Sequence, residues 1–191
     1  MKNVTRIMVV TFILTSIVFL TGCTGGEVTN VKTGLRSGAI NKGQPILVKD
    51  FDTTHTVFTG DNATDATIVK RQKQQITNDL KFLLIIKLTQ KGFKAYDFNE
   101  RNQTQGAVVI DGKFARVNNG SGAARFIVGM GAGAAWMEGT VKIYKIENPQ
   151  NILAEFQTET SSKGSASPGN YTEQLIRELA NTIADYIGEN Y

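Results

Sequence analysis

The sequence holds one cysteine, Cys23, and one histidine, His55. Nucleophilic catalysis needs a thiolate or hydroxyl beside a base. Any Ser-His-Asp arrangement would have to use His55, and no Gly-x-Ser-x-Gly elbow is present. His55 falls in the polar stretch after Phe51, where an imidazole is solvated. With no second histidine and no spare thiol it has no partners for a metal site. The 17 Asp and Glu residues are enough for a carboxylate pair, yet no local spacing singles two of them out. The residue types therefore point to a protein that is not an enzyme, with no cofactor and no metal.

What precedes Cys23 decides its use. Lys2 and Arg6 make a basic start, and Ile7 to Leu20 is a run of 14 residues without a charge. That length suits the core of a secretory signal over residues 1–22 and falls short of the ~20 residues a spanning helix needs. An uncleaved membrane anchor is the alternative. Leu20-Thr21-Gly22-Cys23 resembles the bacterial lipobox, in which small residues precede a lipid-accepting cysteine. The resemblance implies diacylglyceryl transfer to the Cys23 sulfur, cleavage before Cys23 and acylation of the new amine. One acyl chain binds a membrane marginally, whereas two or three anchor stably. The implied protein is a lipid-anchored lipoprotein of the bacterial cell envelope. Thr24 replaces the aspartate that favours inner-membrane retention, which points to the periplasmic face of the outer membrane in a Gram-negative host.

Lipid on Cys23 leaves no thiol for a Cys-His site. Loss of the signal also removes Lys2 and Arg6, so the formal charge of +4 falls to +2. That is a poor basis for nucleic-acid binding, and no nucleic-acid partner is expected.

The remaining chain must supply the scaffold, and its length suits one domain, 45–191. Residues 23–44 read as the lipidated cysteine and a flexible tether. With five glycines in 24–44, a coil of that length spans roughly 25 Å. Val31, Leu35 and Ile40 allow part of it to lie against the domain. Pro45 opens a short buried strand over 46–52. Ile68, Gln72, Ile76, Leu80, Leu83, Leu84 and Leu88 make a core-facing stripe that predicts a helix over 64–91, capped by Thr64 or Asp65 and closed by Gly92. Lys70, Arg71 and Lys73 cluster on its polar side, read as a solvated helix face, with a basic patch for lipid phosphates or an anionic partner as the alternative.

Alternation predicts a strand over 92–98, parallel to the first, then a polar turn over 99–105. Further strands are predicted over 106–118, 136–147 and from Ile152, with Asn148-Pro149-Gln150-Asn151 as the turn. A loop over 161–169 leads to a helix over 171–188, with Asn170 as its cap. The order β-α-β-β-β-β-α predicts an α/β (α+β) domain: one mixed sheet with two helices packed on one face.

One stretch is unusual. Gly120, Gly122, Gly129, Gly131, Gly133 and Gly139 crowd together around Arg125 and Trp136. A dinucleotide fingerprint over Gly129-x-Gly131-x-x-Ala134 would require a helix next, yet the chain soon enters a strand. Three readings stay open: a membrane-dipping hairpin, a partner-binding surface using Arg125, Gly129, Gly131, Gly133 and Trp136, and a tight crossover that needs glycine backbone.

The pattern Arg125-x-x-x-Gly129-x-Gly131-x-Gly133, with Val141-Lys142-Ile143-Tyr144 following, resembles an uncharacterised family of bacterial envelope lipoproteins over roughly residues 44–188. The resemblance implies one small α/β domain with no assigned activity. The expected function is that of a membrane-anchored, non-enzymatic interaction or adaptor domain with an envelope protein as partner. The alternative is a subunit of an outer-membrane secretion or transport assembly that inserts or oligomerises through residues 106–145.

Overall fold

A computed structural model describes residues 25–101, 104–128, 133–162 and 171–191. In chain order the elements are β1 (Glu27–Thr33), β2 (Pro45–Val48), β3 (Val57–Thr59), α1 (Ala66–Gln90), β4 (Lys94–Asp97) and α2 (Phe98–Arg101). They continue with β5 (Val108–Asn118), α3 (Gly122–Val128), β6 (Trp136–Lys145), β7 (Asn148–Ser161) and α4 (Tyr171–Asn190). The strands form one mixed sheet in the order β1-β7-β6-β5-β2-β4. β3 lies beyond β2 along the same edge of β5. The expected α+β class with a single mixed sheet holds, with β1, β3, α2 and α3 added to the anticipated order. The loop expected over 161–169 falls mostly outside the described residues.

The β2–α1–β4 unit is parallel, pairing Ile46 with Ala95 and Val48 with Asp97. α1 starts where Asp65 accepts hydrogen bonds from the Thr67 and Ile68 N–H groups at 2.9 and 3.1 Å. It stops at Gly92, whose φ of +87° suits a residue without a Cβ. The α1 stripe Ile76, Leu80, Leu84 and Leu88 and the α4 stripe Leu175, Ile176, Leu179, Ile183 and Ile187 are buried in one cluster with Ile46, Val48, Ile110, Met137, Val141 and Phe156. Both helices thus cover the same face of the sheet. On the other face a small cluster of Leu47, Ala107 and Val109 is flanked by Tyr96, Phe98, Tyr144 and Ile146. The rest of that face, over β5, β6, β7 and β1, carries polar side chains. An antiparallel sheet tolerates one watered face in this way.

The expected tether over 23–44 is not free over its described residues, 25–44. Glu27–Thr33 pairs antiparallel with β7, Val28 facing Thr158 and Glu27 facing Glu159. Leu35 and Ile40 are buried in the main core, and the Leu35 N–H donates to the Tyr186 hydroxyl at 3.1 Å. The cause is an unfilled edge: β7 would otherwise leave a row of unpaired backbone groups, and β1 satisfies them. Of Val31, Leu35 and Ile40, only Val31 stays exposed.

The β6–β7 turn is also displaced. Lys145 pairs with Asn148, so Ile146 and Glu147 form the turn and Asn148–Asn151 belongs to β7. Two register shifts near Tyr144 absorb the extra residues. Ile146 packs on the second apolar cluster, and the Glu147 carboxylate accepts the Gly106 N–H. That hydrogen bond is the main reason the Glu147 pKa lies below the ordinary glutamate value.

Candidate interaction surface

The glycine-rich crossover from β5 to β6 leaves and re-enters the sheet at one end. Asn118 ends β5 directly opposite Trp136, which starts β6 and faces Ser161 of β7. Ser121 precedes α3 and caps it, its hydroxyl accepting the Ala124 N–H at 3.3 Å. The Ser121 N–H in turn donates to the Gly133 carbonyl at 3.0 Å, which ties the two stems of the crossover together. Gly133 has φ +66°, and a Cβ there would come within 2.5 Å of the Ser121 carbonyl oxygen. At Gly133, then, the crossover reading explains the glycine.

The β3 end locks into the same knot. Gly60 has φ +82°, and a Cβ there would meet the Gly120 carbonyl oxygen at 2.5 Å. The Asp61 N–H donates to that carbonyl at 2.9 Å, while the Asp61 side chain accepts the Gly122 N–H at 2.8 Å. Asn119 Nδ2 donates to the Asp61 carbonyl at 2.9 Å and reaches Gln72 on α1 at 3.3 Å. The chain passes from Gly133 into β6 with no helix between them, so the context a dinucleotide fingerprint requires is missing.

Among the expected site residues, Gly133 and Trp136 stand at this end and Arg125 lies within α3. Cys23, Gly129 and Gly131 fall outside the described residues. The neighbour that sequence reasoning missed is Arg116. Its guanidinium lies 5.1 Å from the centre of the Trp136 ring. It also donates to Glu138 through Nε at 2.9 Å and through Nη2 at 2.8 Å. Arg116 and Glu138 are directly opposite across β5 and β6, two residues from the Asn118–Trp136 pair. The Arg116 side chain is 59% exposed, so the group is reachable from solvent on the uncovered face.

Further along that face Lys49 and Asp111 form an ion pair. Lys49 Nζ reaches Asp111 Oδ2 at 2.6 Å, and the Tyr144 hydroxyl donates to the same oxygen at 3.2 Å. Burial lowers the Lys49 pKa, but the Asp111 hydrogen bond and charge outweigh it and leave it above the ordinary lysine value. Burial first, and the Asp111 charge second, push the Tyr144 phenol up. On the helix-covered side Lys81 of α1 bridges Asp50 at 2.8 Å and Asp97 at 2.7 Å, tying together the ends of β2 and β4. Its pKa is raised too, the two carboxylates overcoming burial.

His55 stands exposed in the turn before β3. Among the described residues no cluster of His, Cys, Asp and Glu is placed to hold a metal. No described helix is long and apolar enough to cross a membrane.

Fold and surface together define a small α+β domain with helices on one side of its sheet and an open polar face on the other. Residues 46–166 match the family described as a domain of unknown function, DUF4410, and the chain belongs to that family. The match covers much of the span of the expected resemblance, and it does not single out the Arg125–Gly133 pattern. No curated protein matches the sequence significantly.

Among solved structures the chain is similar to the subunit of the PelC dodecamer from Paraburkholderia phytofirmans, at 11% identity and a TM-score of 0.50, over 83% of this chain and 97% of that one. It also shows weaker likeness to protein XCC0632 from Xanthomonas campestris (10% identity, TM-score 0.41, 84% and 94% of the two chains). Lipoprotein GNA1162 from Neisseria meningitidis follows (10% identity, TM-score 0.32, 74% and 99%). At these identities the PelC likeness is one of fold.

Proposed function

We propose that the chain is a lipoprotein of the bacterial cell envelope, held at the membrane by acyl chains on Cys23, whose domain binds an envelope protein and catalyses no reaction. The observation that carries this reading is the Trp136–Arg116–Glu138 group on the uncovered face of the sheet. Tryptophan and arginine are the residue types that most often anchor protein interfaces. The group is presented by paired strands, so little ordering is needed on binding. Arg125, Gly129, Gly131 and Gly133, from the stretch of sequence that leads into Trp136, are proposed to take part in the same contact. In a Gram-negative host the location is the periplasmic face of the outer membrane.

In-cell photocrosslinking from position 136 tests this reading. A discrete crosslinked partner that is lost on Arg116→Ala is expected. Equal, diffuse crosslinking from position 136 and from a helix-side position would overturn it.

The fold likeness to a dodecamer subunit favours a second reading: a subunit of an outer-membrane assembly that oligomerises or inserts through residues 106–145. The chain from residue 24 onward, prepared without lipid, separates the two. Stable rings on size exclusion, or leakage of liposomes, support the assembly. A monomer indifferent to detergent and liposomes supports the adaptor.

A further inference from the structure

The start of β1 has a consequence for how the domain sits on its membrane. Resting on the reading that Cys23 carries lipid, we infer that the end of the domain built from α3, Gly133 and Trp136 lies against the phospholipid bilayer, with Ile127 entering it and Trp136 at the membrane–water interface.

The length of chain between lipid and fold carries the argument. Gly26 is fixed between Thr160 of β7 and Thr182 of α4, and β1 pairs from Glu27 onward. Three peptide links join Cys23 to Gly26, a reach of about 10 Å at most. A tether of that length cannot let the domain float or turn over. The domain end at which β1 begins must therefore rest within about 10 Å of the headgroups.

That end is the crossover end. Antiparallel pairing of Glu27 with Glu159, and of Glu138 with Glu159, places Ser161 and Trp136 level with Gly25. Trp136 is two strands away from the β1 edge, about 10 Å at the usual strand spacing. α3 departs from the same end, beyond Asn118, and is pinned there by the Asp61–Gly122 and Ser121–Gly133 hydrogen bonds.

The chemistry of the end suits a bilayer. Ile127 of α3 is 80% exposed, more than any other large apolar side chain among the described residues. Gly122 and Ala123 beside it are exposed and carry no charge. Tryptophan is favoured at the interface because its ring is apolar and its N–H is wet. Among the described side chains of this end, Arg116 is paired with Glu138, and the Asp61 carboxylate accepts the Gly122 N–H. In this pose the strands rise away from the membrane. The open face then stands upright, accessible to a neighbouring protein.

The test uses the lipidated, full-length mature protein in phosphatidylethanolamine–phosphatidylglycerol vesicles with bromine on the upper acyl chain. Trp136 is the one tryptophan, and lipid on Cys23 leaves any introduced cysteine as the only free thiol. Ile127→Cys and Lys94→Cys are each labelled with bimane. Lys94 is exposed at the start of β4, at the opposite end of the sheet. Trp136 and the label at 127 are expected to lose about half their emission to bromolipid, with the label at 94 unaffected.

If the protein floats with the vesicles and mass spectrometry shows diacylglyceryl on Cys23, yet 127 and 136 are quenched no more than 94, the orientation is overturned and the anchor stands. If Cys23 is unmodified, the anchor reading fails and the inference with it.

Discussion

Gly26 and Thr182 are in contact across the β1–α4 boundary, and the contact leaves no room for a side chain on Gly26: a Cβ there would overlap the Thr182 hydroxyl. Gly26→Val is expected to destabilise the domain by about 1–3 kcal/mol, the usual cost of forcing bulk into a filled space. The thermal midpoint should fall by several degrees, and Glu27–Thr33 should become open to proteolysis. Gly25→Val is the control, because nothing lies within 4 Å of a Cβ there. Equal behaviour of the two variants would contradict the close packing of the segment behind Cys23.

The crossover knot makes a second prediction. Gly60 and Gly133 combine a positive φ with backbone oxygen at 2.5 Å from a built Cβ. Gly38 has a φ of +78° and open space around it. Gly38→Ala should therefore cost only the left-handed backbone penalty of about 1 kcal/mol. Gly60→Ala and Gly133→Ala should each cost at least about twice that, since the carbonyl must also move. Urea midpoints of the three variants check the ranking.

Alkaline pH should weaken the fold through three groups. Lys49, Lys81 and Tyr144 all have folded pKa values above their ordinary ones. Folding therefore favours their protonated forms. Their stabilisation is complete below about pH 10 and is lost as pH rises through the folded values. The urea midpoint should be level from about pH 8 to about pH 10 and then decline. Lys49→Met should make that decline shallower. An unchanged alkaline profile would mean that the Asp111 contact does not persist in solution.

Lys81 bridges Asp50 and Asp97, and its side chain is only 15% exposed. Lys81→Met leaves two carboxylates facing each other across β2 and β4. A loss of about 1–2 kcal/mol is expected, as for removal of a charged hydrogen-bond partner. Asp97→Asn added to Lys81→Met should recover part of it. A double-mutant cycle gives the coupling directly.

The elements that rest on local pattern could be read in advance. The α1 stripe from Ile76 to Leu88 and the alternation of Met137, Val141 and Ile143 state their own periodicity. Asp65 and Gly92 mark the ends of α1 chemically. β1 was hidden because its strand character depends on β7, more than a hundred residues later, and only Val28 packs on the core within it. Flanking glycines give Glu27–Thr33 the look of a linker. The Arg116–Trp136–Glu138 group was hidden for the same reason: cross-strand register sets it, and Arg116 sits beside a bulge that shifts that register. Trp136 and Gly133 were legible as unusual residues, but their surroundings were not.

In the proposed function, Cys23 holds this domain at the membrane. Fractionation of cells producing the wild-type chain and Cys23→Ser, with intact mass of the membrane-extracted protein, tests it most directly. The expected result is a wild-type protein that begins at Cys23, carries diacylglyceryl and pellets with membranes, while Cys23→Ser is released into the soluble fraction. A Cys23→Ser protein that still pellets with membranes, or a wild-type mass without lipid, would contradict it.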